Sequence, residues 1–421
     1  MDQGPQSRAP RRAELGGRNV LRRRGRLAAA TLASSCLVLG VLGAQAGSAA
    51  ATHARHHSHH AFKQVNLVSD IPGRAQLLDP EVKNPWGIAF GPSTPLWVNN
   101  NFNPALANLC DTCIPKPADL LTKITLYAGA NGKTPITKVP LEVTASSPTG
   151  IVFNASNSFK INQHNGNGRV AARFMFNEVY LNAAGDAPEG RVTGWAPNTD
   201  PTKAPPLSTT STRARQPGDF PTGLALVPAT VPRGPRLLVA GTADGRIHVY
   251  NSHFKETTRP GQFVDRRAVK SGEIPYNVMY LKGRVYVTYA GDRTSALTVF
   301  GVNGRWHKRL VTNGKLVGPW GMAIAPRHWG RFGGALLVGN VGDGKINAFN
   351  RHSGRFEGTL KNARGKAIAN PGLWGIAFGN GVIGTPRTLI FAAGIGSAPG
   401  GLGDDGYEHG LVGRIKPVSH R

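Results

Sequence analysis

Short apolar runs recur along the chain, with turn-forming residues between them. Runs such as Gly-Ile-Ala-Phe at 87–90 and Leu-Leu-Val-Ala at 237–240 contain no polar position. This pattern is typical of strands that are covered on both faces. No stretch keeps an apolar period of 3.6 residues, so no long amphipathic helix is predicted. The pattern predicts an all-β fold.

One phrase occurs six times: a proline, then a glycine that is once replaced by asparagine, then an apolar run. Its central residues are Gly87, Gly150, Gly223, Asn277, Gly321 and Gly375. Further strand-like runs follow each phrase, and Asp343-Gly344 separates two of them in the fifth unit. Asp-Gly favours a two-residue hairpin turn in which both residues have positive φ. Since one unit cannot bury its own faces, six units are expected to stack as a six-bladed β-propeller.

The N-terminal strand is expected to close this ring. The sixth unit lacks a fourth strand, whereas residues 62–68 form a strand-like run that has no partner of its own. Pairing the two removes an exposed sheet edge. The propeller is therefore assigned to residues 62–416, with a short tail at 417–421, and the stretches 100–120 and 196–218 are expected to be surface loops.

The first 46 residues are predicted to be a signal peptide. An arginine-rich segment ends at Arg26, residues 27–50 carry no charge, and Ala44-Gln45-Ala46 fits a cleavage site. The arginine pattern loosely resembles a twin-arginine signal, so the export route stays open. An uncleaved anchor is the alternative, because 24 uncharged residues could span a bilayer. We expect a secreted, extracellular or cell-envelope protein with no stable membrane span after cleavage.

Two features near the start of the exported chain involve metal-binding residue types. Residues 47–61 contain five histidines without an apolar pattern, which indicates a flexible linker that binds metals weakly. Cys110 and Cys113 lie in a proline-rich loop and are expected to form a disulfide in an oxidising compartment. A redox Cys-x-x-C would need a helix N-terminus, and zinc would need two more ligands.

The formal charge is +27, of which about +21 belongs to residues 47–421, because eight arginines and two acidic residues precede them. Such a body should be attracted to anionic polymers, glycans and lipid surfaces. The positive residues are scattered and are not interleaved with aromatic residues, so no specific nucleic-acid site is expected.

Motifs across residues 62–416 resemble an uncharacterised family of exported bacterial propeller-like proteins. They are NLVSD at 66–70, NPWGIAF at 84–90, LLVGNVGDGKINAF at 336–349, LWGIAFGNG at 373–381 and EHGLVGRI at 408–415. The family often carries a C-terminal Pro-Glu-Pro sorting signal, which the segment 416–421 lacks, and it has an acidic residue where this chain has Asn99-Asn100. The resemblance implies export and a propeller. More distant likenesses are to NHL-repeat and sugar-lactonase propellers, which do not give function.

The repeated phrases should begin the innermost strands, so their polar and aromatic residues are expected at one mouth of the central channel. The candidate ligand-binding residues are Asn84, Trp86, Thr149, Asp219, Tyr276, Asn277, Trp320 and Trp374. For the three tryptophans, packing between blades is the alternative interpretation. Asp219 is the only carboxylate, although Asn99, Asn277 or Glu408 could add oxygen ligands for a cation.

Positive evidence for catalysis is lacking in the sequence. The pairs Asp404-Asp405 and Glu408-His409 precede the last strand and fit either proton transfer or a turn that closes the ring. No nucleophile elbow, phosphate loop, dinucleotide motif or zinc-protease motif occurs, and no cofactor is expected. Two functions remain: a binding or scaffold propeller for a small molecule, glycan or anionic envelope polymer, and a metal-assisted hydrolase of the sugar-lactonase type.

Overall fold

A computed structural model of the chain describes most of the predicted propeller. The described residues are 61–102, 120–163, 166, 168–181, 188–197, 199–200, 202, 221–230, 234–241, 244–396 and 407–418. The predicted signal peptide, residues 47–60 of the histidine-rich linker, Cys110, Cys113 and Asp219 lie outside them, so those assignments stay predictions.

Within the described residues, six sheets form the six expected blades, and they are antiparallel except for one short parallel pair in the last. Blade 1 consists of β3 (Pro85–Ala89), β4 (Leu96–Asn100), β5 (Leu121–Ala128) and β6 (Thr137–Ser146). Blade 2 consists of β7 (Pro148–Phe153), β10 (Phe174–Leu181) and β11 (Pro188–Trp195), and a hairpin of β8 (Lys160–Asn162) and β9 (Arg169–Ala171) is inserted after β7. Blade 3 consists of β12 (Gly223–Val227), β13 (Arg236–Ala240) and β14 (Ile247–Tyr250).

The second half of the chain is equally regular. Blade 4 consists of β15 (Ile274–Leu281), β16 (Arg284–Ala290), β17 (Ser295–Phe300) and β18 (Trp306–Thr312). Blade 5 consists of β19 (Pro319–Ile324), β20 (Leu336–Asn340), β21 (Ile346–Phe349) and β22 (Phe356–Thr359). Blade 6 consists of β23 (Leu373–Phe378), β24 (Leu389–Ile395), β25 (His409–Pro417), β1 (Phe62–Ser69) and β2 (Leu77–Leu78).

The N-terminal strand closes the ring, as predicted. Strand β1 pairs antiparallel with β25, from Phe62 opposite Pro417 to Ser69 opposite Leu411. The buried Ser69 hydroxyl also donates to the Gly410 carbonyl at 2.7 Å. The innermost strands contact one another in the circular order β3, β7, β12, β15, β19, β23 and back to β3. Both ends of the propeller sequence therefore lie in a single sheet.

The core consists of one apolar layer between each pair of neighbouring blades. Strand β4 shows how a continuous apolar run supplies two layers: Trp97 packs towards blade 2, and Leu96 and Val98 pack towards blade 6. In β24 every residue from Leu389 to Ile395 is buried. Covering both faces of each inner strand explains why these segments lack the polar alternation of a half-exposed sheet.

Helix contributes little to the described part of the chain. The α-helix there, α1 (Arg266–Lys270), is capped by the Asp265 carboxylate, which accepts a hydrogen bond from the Arg267 backbone N–H at 2.9 Å. No helix among the described residues is long and apolar enough to cross a membrane.

The prediction of a two-residue Asp-Gly turn in blade 5 is wrong. In blade 5 the Asn340 N–H donates to the Lys345 carbonyl at 3.0 Å, so four residues form the loop. Only Gly344 has positive φ, at 65°, whereas Asp343 accepts a hydrogen bond from the Lys345 N–H at 3.2 Å. Aspartate therefore stabilises the turn through its side chain rather than through a left-handed backbone.

Candidate functional site

The glycines of the repeated phrases lie where neighbouring innermost strands come closest. A Cβ atom at Gly87 would lie 2.4 Å from the Thr149 carbonyl oxygen, and one at Gly321 would lie 2.3 Å from the Trp374 carbonyl oxygen. Such distances are too short for any side chain. The phrase therefore keeps glycine because the strands converge at this end of the channel, the mouth.

Blade 4 carries Asn277 where the other blades carry glycine. Its amide Nδ2 donates to the Trp320 carbonyl at 2.7 Å, which ties blade 4 to blade 5. On its other side lies Gly223, where a Cβ would come within 2.4 Å of Asn277 Oδ1. The asparagine side chain thus occupies the space that the glycine of blade 3 leaves open.

All four aromatic residues among the candidates meet at the mouth. Trp86 and Trp374 stack with ring centroids 3.7 Å apart, and Trp320 lies edge-on to both at 6.4 and 6.0 Å. Tyr276 lies 6.0 Å from Trp374. Burial, with a smaller contribution from Tyr407, raises the pKa of the Tyr276 hydroxyl well above its usual value, so this group stays neutral. We call these four residues the aromatic cluster; they come from blades 1, 4, 5 and 6.

Two further predicted residues form hydrogen bonds between blades at the same end. The Asn84 Oδ1 accepts a hydrogen bond from the Trp374 indole N–H at 3.1 Å. The Thr149 hydroxyl of blade 2 donates to the Pro221 carbonyl at 2.6 Å, at the start of blade 3. The structure thus brings Asn84, Tyr276, Asn277 and the tryptophans together, and it places Thr149 on a separate interblade contact.

All seven described candidates are buried, and none exposes more than 8% of its surface. The three tryptophans therefore pack between blades, which was the alternative interpretation of these residues. A ligand that uses these residues must separate some of the aromatic contacts. Their assignment as ligand-binding residues stays a prediction.

The strands next to the innermost ones in blades 1, 2 and 4, which are β4, β10 and β16, each carry a buried polar side chain near the mouth. Of these residues, only Asn99 was singled out from the sequence. Asn99 donates to the Thr149 carbonyl at 3.0 Å, and Asn177 donates to the Gly223 carbonyl at 2.9 Å, in each case on the next blade. Thr288 lies opposite Asn277 in blade 4. We call Asn99, Asn177 and Thr288 the polar belt. The available signal was a polar residue within each of these three buried strands.

Several atoms at this level lack a hydrogen-bond partner among the described residues. They include Oδ1 of Asn99, Oδ1 of Asn177, the Thr288 hydroxyl and the indole N–H of Trp320. Each of the four side chains is at least 95% buried. Buried polar groups in folded proteins are normally paired with protein atoms or ordered water, so a group of unpaired ones indicates a missing polar partner.

An acid–histidine pair lies at the same end of blade 6. Asp70 follows strand β1, and its carboxylate contacts His409 Nδ1 at 2.6 Å, Lys83 Nζ at 2.5 Å and the Gly410 N–H at 2.9 Å. These contacts join the N-terminal strand to the last strand, as expected of a turn that closes the ring. Asp404 and Asp405 lie outside the described residues. Within the described part of the chain, no three histidine, cysteine or acidic residues are grouped so as to hold a metal ion.

Comparisons with known sequences give uncharacterized viral relatives and no function. No family model matches the chain. The chain is 27% identical over 328 residues to the uncharacterized protein R648 of Acanthamoeba polyphaga mimivirus, covering 74% of this chain and 72% of that protein. It is 38% identical over 91 residues to the uncharacterized protein L690 of the same virus, covering 21% of this chain and 24% of that protein. These relatives are viral, so the resemblance to a bacterial exported family stays a prediction.

Solved structures of two sugar dehydrogenases are similar to this chain at low identity. A glucose dehydrogenase is 11% identical with a TM-score of 0.49, covering 85% of this chain and 100% of its own. The aldose sugar dehydrogenase of Streptomyces coelicolor, in its PQQ-bound form, is 12% identical with a TM-score of 0.45, covering 85% and 98%. At these TM-scores and identities the likeness carries neither fold nor function, so the assignment of a six-bladed propeller rests on the strand order itself.

Proposed function

We propose that the protein is an exported binding propeller of the cell envelope or extracellular space that holds a small, hydroxyl-rich ligand at the channel mouth. The observation that carries this proposal is the group of unpaired buried polar atoms of the polar belt, at the same end of the ring as the aromatic cluster. Export rests on the predicted signal peptide alone.

The energetic argument is that unpaired buried polar groups are costly. Each costs about 1–3 kcal/mol, and four such groups lie near the mouth. A ligand or ordered water that pairs with them recovers this free energy. Three of the groups offer oxygen acceptors and one offers an indole N–H, so a suitable partner carries several hydroxyl donors and at least one acceptor.

The aromatic cluster restricts the ligand further. Trp86, Trp320 and Trp374 offer flat apolar ring surfaces at the same end of the ring as these polar groups. A sugar or polyol combines C–H surfaces that pack on aromatic rings with hydroxyls that pair with amide oxygens. Because the rings are buried, binding must rearrange them, and tryptophan fluorescence should report the ligand directly.

The test is a fluorescence titration of the purified protein with neutral sugars and polyols. Thr288→Val removes one unpaired hydroxyl at nearly constant volume, so it should leave the free protein as stable or more stable and weaken binding about tenfold, or 1.4 kcal/mol. The matched control is Tyr289→Phe, which removes the neighbouring hydroxyl from the core between blades 3 and 4. No spectral response to any of these ligands, or equal weakening by both variants, would refute the mouth site.

A second candidate is the metal-assisted hydrolase of the sugar-lactonase type. The observation that favours it is the pair of unpaired amide oxygens on Asn99 and Asn177, since amide oxygens are ligands for hard cations. This function requires a divalent cation in the purified protein and turnover of lactones or esters that chelation abolishes. Metal-free protein that binds a sugar without turnover supports the binding function instead.

A further inference from the structure

A cavity of about 440 Å³ lies at the outer part of blades 3 and 4, away from the mouth. Arg236, Arg259 and Arg305 line it, and none of its described lining residues is acidic. Arg236 begins strand β13, which runs antiparallel to β12, and Arg305 lies in the turn between β17 and β18. Since inner strands start at the mouth, both positions belong to the opposite end of the propeller.

The cavity presents hydrogen-bond donors because the amide oxygens around it are already used. Asn251 Oδ1 accepts hydrogen bonds from the backbone N–H groups of His253 and Lys255 at 3.0 and 3.1 Å. Asn303 Oδ1 accepts one from the Arg305 N–H at 3.1 Å. The Nδ2 groups of the two asparagines have no partner within the described chain. A ligand therefore meets N–H groups and few acceptors.

Two of the three arginines that line the cavity keep their charge unpaired among the described residues. Arg259 and Arg305 are exposed and form no ion pair with any described residue. The nearest acidic residue in the flanking segment, Glu256, is hydrogen-bonded to His248 at 3.1 Å and to Thr258 at 2.8 Å. An anion that enters the cavity would not be repelled by a lining carboxylate.

We propose that this cavity binds a sugar residue bearing a carboxylate, sulfate or phosphate group, either free or as part of an anionic glycan. Guanidinium groups match the paired oxygens of these anions, and hydrogen bonds between charged groups are the stronger kind. The volume falls within the usual range for small-molecule sites, about 300–1,000 Å³. It leaves room for a sugar ring whose hydroxyl oxygens can accept from the asparagine amides. This site is independent of the mouth.

The probes are glucose 6-sulfate, glucose 6-phosphate and glucuronic acid, measured by calorimetry on the full chain, with glucose and sodium sulfate as references. The test variant is Arg259→Ala/Arg305→Ala. The control is Arg351→Ala/Arg355→Ala, which removes the same charge from the corresponding turn of blade 5. There the Asn350 N–H donates to the Arg355 carbonyl at 2.8 Å, just as the Gly301 N–H donates to the Arg305 carbonyl at 2.8 Å.

We expect at least one anionic sugar to bind, and the tightest of the three identifies the preferred anionic group. The test variant should weaken its binding at least tenfold, and the control should change it less than twofold. Arg259, Arg305 and Arg355 are exposed, and Arg351 is partly exposed. Both variants should therefore keep the melting temperature of the parent. Absence of binding by all three probes, equal binding of glucose or sodium sulfate, or equal weakening by both variants would overturn the proposal.

Discussion

A buried histidine in blade 3 makes the stability of the propeller depend on pH in a way that can be measured. His248 Nδ1 lies 3.1 Å from Glu256 Oε1, its Nε2 lies 3.3 Å from Asp244 Oδ1, and the side chain is 7% exposed. Burial alone would lower the pKa of His248, but hydrogen bonds and charge attraction from the two carboxylates outweigh it and raise the pKa to about 10. The imidazole is therefore protonated at neutral pH.

The sign of the effect follows from this raised pKa. The folded state holds the His248 proton more tightly than the unfolded state, whose histidine has a pKa near 6.5. The stabilisation is fully present below pH 6.5 and is lost as the pH rises through about 10. The difference between the two pKa values corresponds to about 4–5 kcal/mol at most, at about 1.4 kcal/mol per unit. That is a large fraction of the 5–15 kcal/mol typical of a whole domain.

The experiment compares urea unfolding of the parent and His248→Gln between pH 6.5 and 10. The free energy of unfolding of the variant should be several kcal/mol lower near pH 6.5. Above pH 7 the difference should shrink by about 1.4 kcal/mol per pH unit, because one proton is involved. His253→Gln changes an exposed histidine in the same blade and should leave the pH profile parallel to that of the parent. A difference that is constant across this range, or a His248 NMR signal titrating near pH 6.5, would refute the reasoning.

Four further predictions follow from the ring and its two proposed sites. Deleting residues 62–68 should destabilise the whole ring cooperatively in thermal unfolding, since it removes three buried apolar side chains, whose burial is worth about 1.5–3 kcal/mol each, and leaves the edge of β25 unpaired; an unchanged melting curve would contradict ring closure. Changing Cys110 and Cys113 to serine should leave the propeller folded, because so short a loop restricts little chain entropy, and free thiols in the exported protein would contradict the disulfide. Gly87→Ala should lower the melting temperature, because the new methyl group meets the Thr149 carbonyl at 2.4 Å; a parent-like melting temperature would show that the strands can separate. Raising the salt concentration should weaken binding of an anionic sugar at the arginine cavity while leaving a neutral sugar at the mouth unaffected, and isothermal titration at two salt concentrations distinguishes them.

The candidate site could be predicted from the sequence only in part. The repeated phrases correctly placed Trp86, Tyr276, Trp320 and Trp374 at one end of the ring, because each begins the innermost strand of its blade. The pattern did not reveal that the rings pack on one another, since stacking depends on the angle between blades that are far apart in sequence. The Asp-Gly dipeptide of blade 5 marked a turn correctly but not its length, which the side chain of Asp343 decides.

The sequence by itself determined the fold class, the number of blades and the closing strand. Runs without polar positions require strands covered on both faces, and an unpaired run at 62–68 requires a partner. Only the tertiary structure decided which polar groups are left without partners and which charges meet. Asn99 bonds across 50 residues to Thr149, and Arg236 and Arg305 come to one cavity from different blades. Such contacts depend on the distances between blades, which local patterns of hydrophobicity do not encode.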